Sequence, residues 1–138
     1  MLNLGKYFKQ GQNNSLVLKN NGSFSHSGPW IQVYESTLLD RWHVGDFASV
    51  EYTLSVDLDT DNKEFIKAVI TATVDTASVV IFARNNTNKD LVEITATVNE
   101  SYVDVILTSA LPEDSVSNEG IKVIYTANYF HTQNPPVA

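Results

Sequence analysis

The sequence contains no cysteine. That excludes disulfides, thiolate metal sites and a cysteine nucleophile. Stability must then come from a packed core, not from the cross-links on which many small extracellular β-domains depend. No stretch approaches the roughly 18 consecutive apolar residues of a membrane-spanning helix. The opening residues MLNLGKYFKQGQNNS lack the apolar run of a secretion signal. A soluble chain made in a cytoplasm, with no membrane partner, is therefore expected. Also missing are a sustained helical period with caps, a glycine-rich phosphate loop and a G-x-S-x-G nucleophile elbow.

What is present is a globular composition. Of 138 residues, 43% are hydrophobic and 18% charged, which fits one domain with a core. The formal charge is -7, unevenly spread. Residues 1–34 hold Lys6, Lys9 and Lys19 and no acid, whereas the rest holds 6 bases against 16 acids. An acidic body repels phosphate backbones, so nucleic acid is not an expected partner. A basic segment beside an acidic body suits docking on a neighbouring copy, and equally suits a solvated tail.

The recurrent signal is period two. From Ala48 to Leu58 the alternation is unbroken: Val50, Tyr52, Leu54 and Val56 face one way, and Ser49, Glu51, Thr53 and Ser55 the other. Side chains alternate faces along a strand, so this is a half-buried strand. Similar runs cover Ile66 to Val74, Val79 to Phe82, Val92 to Val98, Val103 to Leu107 and Ile121 to Tyr129, with weaker ones at Leu16 to Leu18 and Trp30 to Tyr34. Asn- and Asp-rich segments between them read as turns, and Asn99-Glu100 as a tight hairpin connection. Thr37 to Trp42 is expected to form at most one helical turn. The expected fold is all-β: an antiparallel β-sandwich, jelly-roll or immunoglobulin-like, of about eight strands with an extended N-terminal arm. The domain reading is a polar basic arm at 1–29, a sandwich at 30–130 and a tail at 131–138, where Pro135 and Pro136 cannot continue a central strand.

Few residues point to chemistry. Asp57, Asp59 and Asp61 space their acids like the start of a calcium loop. Asn62 and Ala68, however, stand where such a loop needs its turn glycine and its bidentate glutamate. A charged turn is the plainer reading, and no metal or cofactor is expected. His26, His43 and His131 lie far apart, and His43 with Asp46 and a serine forms no recognisable triad spacing. Arg84 and Asp104, in apolar-flanked strands, are candidates to pair inside a subunit or across an interface. Trp30, Trp42, Tyr34 and Tyr129 suit either a sugar-stacking platform or a core or subunit interface; the second is favoured. With no catalytic signature, the chain is expected not to be an enzyme.

Five runs carry a family resemblance: Trp42-His43-Val44-Gly45-Asp46-Phe47, Glu51-Tyr52-Thr53-Leu54-Ser55-Val56, Glu64-Phe65-Ile66-Lys67-Ala68-Val69-Ile70, Ser101-Tyr102-Val103-Asp104-Val105-Ile106-Leu107 and Gly120-Ile121-Lys122-Val123-Ile124-Tyr125. Over about residues 42–130 of this sequence they resemble the β-sandwich domains in virion structural proteins of marine contractile-tailed cyanophages and related phages. That resemblance implies a virion location, in tail, neck, baseplate, fibre or capsid decoration, and other virion proteins as partners. It carries over no functional residue. The expected function is a virion assembly component forming a homo-oligomer. The assembly contacts named for it are Lys6, Tyr7, Phe8, Lys9, Leu16 and Leu18 in the arm and Trp30 and Trp42 where arm meets body. The alternatives are a carbohydrate-binding module or adhesin tip, with a host surface glycan as partner, and a small jelly-roll metal enzyme.

Overall fold

The computed structural model describes residues 8–10, 16–18, 23–27, 31–112 and 120–132. Among them run eleven strands: β1 (Phe8–Gln10), β2 (Leu16–Leu18), β3 (Ser23–Ser27), β4 (Ile31–Val33), β5 (Ser36–His43), β6 (Phe47–Asp57), β7 (Lys63–Ala72), β8 (Ala77–Asn86), β9 (Val92–Asn99), β10 (Tyr102–Ser109) and β11 (Ile121–His131). They form two antiparallel sheets. The larger has the order β1-β2-β3-β11-β6-β7-β8, with β4 also on β11; the smaller has the order β5-β10-β9. The all-β, two-sheet antiparallel architecture is the one expected, and each of the eight expected strands is present. Among the described residues no helix is long and apolar enough to cross a membrane.

Period-two patterning places the core. Val50, Tyr52, Leu54 and Val56 of β6 are buried, as are Ile66, Ala68 and Ile70 of β7 and Ile121, Val123, Tyr125, Ala127 and Tyr129 of β11. They join one cluster with Leu39 and Trp42 of β5, Val92 and Ile94 of β9, and Val103, Val105 and Leu107 of β10. Each fully buried Val, Ile or Leu contributes roughly 1.5–3 kcal/mol of transfer free energy, enough in sum to dispense with disulfides. Tyrosine hydroxyls tie the sheets across this core. Tyr52 donates to Asp40 Oδ2 at 2.8 Å and Tyr125 to the Leu39 carbonyl at 3.2 Å. Tyr129 also donates to Asp40 Oδ2, and Trp42 Nε1 donates to the Tyr52 hydroxyl at 3.1 Å.

Two sequence readings are corrected. Thr37 to Trp42 is not a helical turn but the middle of β5. Asp40 pairs with Val105 and Leu38 with Ile106, leaving Leu39 as the extra residue of a bulge. The bulge spaces the buried Leu39 and Trp42 three apart, which imitates a helical face. Arg84 and Asp104 do not pair within the chain: Arg84 binds Glu64, and Asp104 binds Arg41. From the expected arm, β1, β2 and β3 are strands of the larger sheet, β3 pairing with β11 through Phe24↔Tyr129 and its neighbours.

Candidate functional site

The most built polar surface is the outer face of the smaller sheet, at the end nearest two turns. Register sets it out in rows. His43, Tyr102 and Asn99 stand in one row across β5, β10 and β9, and Arg41, Asp104 and Thr97 in the next. Strand alternation turns all six away from the core, since their neighbours Trp42, Val103 and Val105 face inward. Arg41 Nε sits 3.1 Å from Asp104 Oδ1, and its guanidinium carbon lies 4.6 Å from the centroid of the Tyr102 ring. The His43 ring meets Tyr102 edge-on, with centroids 4.9 Å apart.

The adjoining turns hold this block in place. Gly45 donates its N–H to His43 Nδ1 at 2.9 Å, which leaves Nε2 to carry the proton of the neutral ring. A Cβ at Gly45 would come within 2.8 Å of that nitrogen, so glycine is what lets the ring fold onto the turn. Val44 donates to the Ser101 carbonyl at 2.9 Å, joining the two turns. Glu100 and Ser101 both have positive φ, 52° and 67°, as a two-residue type I′ hairpin requires. The hairpin expected at Asn99-Glu100 is therefore present.

The outer face of the larger sheet has a different character. Phe65, Val80, Phe82, Ile124 and Phe130 are each 41–53% exposed there. Phe65 and Ile124 flank Ser55 in one row. Beside Phe65 the face dips into a shallow depression lined by Ser55, Asp57, Lys63, Asn85 and Thr87. Glu51, Asp57, Lys63, Lys67 and Lys122 share this face, so it carries both signs of charge.

Inside the sandwich lies a saturated carboxylate. Glu64 Oε2 accepts from Arg84 Nη1 at 3.0 Å and Asn86 Nδ2 at 3.2 Å, and Oε1 accepts from the Leu91 and Val92 amides at 3.0 and 3.3 Å. With all its partners internal, this cluster closes the fold and presents nothing to a ligand. The tyrosines facing Asp40 are shifted. Burial, then the Asp40 charge, pushes the Tyr125 phenol up to about 12. The same causes raise Tyr52 and Tyr129 well above the ordinary value.

The structure does not bring the sequence's candidate residues together as one site. Lys6, Tyr7 and Trp30 lie outside the described residues. Phe8 and Lys9 lie in β1, and Leu16 and Leu18 in β2, with Phe8 opposite Leu18 and Lys9 opposite Val17. Trp42, named as an assembly contact, is 3% exposed and sits between the sheets. Asp59 Oδ1 accepts from the Asp61 and Asn62 amides, both at 2.9 Å, and Asp57 binds Lys63 Nζ at 2.9 Å. The acids of this turn thus close the turn itself. Among the described residues no three His, Cys, Asp or Glu side chains gather as a metal cage. Sequence reasoning missed Arg41 and Tyr102. The only signal for them is the outward phase of two strands, one of which was hidden by its bulge.

No family model matches this sequence, and no curated protein does. The fold is similar to parts of solved phage tailspikes. One is the tailspike protein of Acinetobacter baumannii phage AM24, at TM-score 0.46 and 8% identity, over 84% of this chain and 27% of that one. Another is tailspike protein gp49 of Acinetobacter baumannii bacteriophage Fri1, described as a capsular polysaccharide depolymerase, at TM-score 0.43 and 11% identity, over 84% and 19%. A third is the tailspike of Acinetobacter phage vB_ApiP_P1, at TM-score 0.35 and 11% identity, over 91% and 24%. The chain spans 19–27% of the length of these proteins. They are phage tail proteins, the broad class named from the sequence, but from Acinetobacter phages and not cyanophages. The expectation of a chain without enzymatic activity is corrected here. One of the similar structures is described as a depolymerase, so the chain is not assigned to the non-enzymatic class.

Proposed function

We propose that this chain is a β-sandwich module of a bacteriophage tail protein, assembled with further copies of itself through the outer face of the larger sheet. The observation that carries this reading is the exposure of Phe65, Val80, Phe82, Ile124 and Phe130 on that face. The solvated face of an antiparallel sheet is ordinarily polar. Apolar clusters on a soluble surface mark contact sites. The occupant is a second copy because the face carries both signs, three lysines against two acids, within a chain of net charge -7. Lys63, Lys67 and Lys122 stand there beside Glu51 and Asp57, so two copies meet with little repulsion and opposite signs to pair. β8, at one end of the larger sheet, carries Val80 and Phe82 and no outward charge, so the apolar surface runs to that end of the sheet. The arm residues Phe8, Lys9, Leu16 and Leu18, in the strands at the other end, are proposed as a second contact between copies. A virion location, with other tail proteins as partners, belongs to the same reading.

Light scattering across protein and salt concentration tests it. The native chain should give a discrete oligomer that survives high salt, because the contact is apolar. The Phe65→Glu/Phe82→Glu double variant should stay monomeric while keeping its β-sheet circular dichroism. A native chain that is monomeric throughout, or a double variant that assembles normally, refutes the reading.

A further inference from the structure

We infer that the outer face of the smaller sheet is a binding site for the carboxylate of an acidic saccharide, with Arg41 as its anchor. This goes beyond the assembly reading and uses the opposite outer face of the sandwich, so the two fail separately. Arg41 is oriented before any ligand arrives. Asp104 holds its Nε at 3.1 Å, and the Tyr102 ring lies against its guanidinium plane at 4.6 Å. The two terminal nitrogens have no partner among the described residues, and the side chain remains 49% exposed. A planar fork fixed through Nε and left open at both Nη atoms matches the two oxygens of a carboxylate.

The surroundings select a sugar acid over a bare anion. His43 keeps its proton on Nε2 because the Gly45 amide donates to Nδ1. Tyr102 contributes a hydroxyl on a ring 40% exposed. Thr97 and Asn99 complete the two rows from β9, and both are exposed. A fixed fork therefore lies among hydroxyl, amide and imidazole groups spaced by the strand separation of about 4.8 Å. That spacing is comparable to the distance between hydroxyls on neighbouring sugar rings. A peptide would be expected to add as a strand, but Tyr102 and Asp104 lie on β10, the central strand, whose backbone is paired on both sides. Arg41, His43, Thr97 and Asn99 stand on the edge strands β5 and β9, but the rows are presented on the face of the sheet, and such a face of side chains suits a ligand that binds by its own hydroxyls and carboxylate.

The test uses the full chain and three probes: tetragalacturonate, its methyl ester, and acetate. Binding is read by calorimetry and by amide chemical shifts of Tyr102, Thr97 and Asn99. The acid oligomer should bind at least tenfold more tightly than its ester, with shifts confined to those rows. Arg41→Gln should abolish binding. Arg41→Lys should weaken it at least tenfold, since the charge stays but the fork is lost. Near-ultraviolet circular dichroism checks that both variants fold, and light scattering should find their oligomeric state unchanged. Equal binding of acid and ester, unaltered binding by Arg41→Gln, or no binding of the acid oligomer overturns the inference. Acetate binding as tightly as the oligomer overturns the saccharide class.

Discussion

Arg84 and Glu64 form an ion pair within the sandwich: Arg84 Nη1 lies 3.0 Å from Glu64 Oε2, and the carboxylate is fully buried. Removing Glu64 leaves Arg84 only the half-exposed Asp90 and Glu93, at 3.4 and 3.3 Å, and takes the acceptor from the Leu91 and Val92 amides. Glu64→Ala should therefore lower the unfolding free energy by about 3–5 kcal/mol, measured by urea denaturation. Replacing both, as Glu64→Leu/Arg84→Met, should not restore stability, although many buried pairs can be exchanged for apolar residues. Here the Leu91 and Val92 amides also depend on Glu64 Oε1. Each buried amide left without an acceptor costs about 1–3 kcal/mol. Full recovery in the double variant would show that those amides find other partners.

The tyrosines around Asp40 make stability fall at alkaline pH. Tyr125 is raised to about 12, and Tyr52 and Tyr129 are raised as well. A phenol whose folded value exceeds its unfolded value of about 10 keeps its proton longer in the native state. Its contribution is complete below pH ~10 and is lost as pH climbs toward the folded value, because the unfolded chain then binds fewer protons. Absorbance at 295 nm should show a late group of phenolates appearing together with loss of near-ultraviolet circular dichroism. The urea midpoint should be flat from pH 7 to 9 and fall beyond 10. Ionisation of all six tyrosines in one early step, with the fold intact, would contradict this.

The β9–β10 turn can be improved. Glu100 and Ser101 occupy a left-handed region that Asn and Gly adopt at lower cost. Glu100→Asn/Ser101→Gly should stabilise the chain by about 1 kcal/mol, seen as a higher urea midpoint at an unchanged slope. A neutral or negative effect would mean that the native side chains make contacts worth more than the strain.

Legibility followed how local each signal was. Ala48 to Leu58 announced β6 because alternation is carried by adjacent residues, and Val50, Tyr52, Leu54 and Val56 are buried as the pattern requires. β5 was obscured because one bulge residue, Leu39, shifts the phase. Trp42 read as an interface residue because a large aromatic suits either place. Its indole hydrogen bond to Tyr52, ten residues away, decides for the core. Arg41 and Tyr102 were not found because nothing local joins them: they meet only once β5 and β10 take up their register. The Glu64 cluster was invisible for the same reason, since its partners arrive from β8 and from the turn leading into β9.

That dependence on register makes Gly45 a sharp probe of the smaller sheet's outer face. Its φ is not in the left-handed region, so alanine is excluded there by contact and not by backbone strain. The added Cβ would lie 2.8 Å from His43 Nδ1 and 2.9 Å from Cε1. Gly45→Ala must therefore displace the imidazole from the turn and from the Tyr102 ring. Overpacking of this kind costs about 1–3 kcal/mol. His43→Ala removes what the new methyl meets, so Gly45→Ala should cost almost nothing when made in that background. A double-mutant cycle by urea denaturation should return a coupling of about 1 kcal/mol or more. The single Gly45→Ala variant should also lose its preference for the Nε2–H tautomer of His43, visible in imidazole nitrogen chemical shifts. Strict additivity would mean that the ring moves aside freely, and that the turn does not hold His43 against Tyr102.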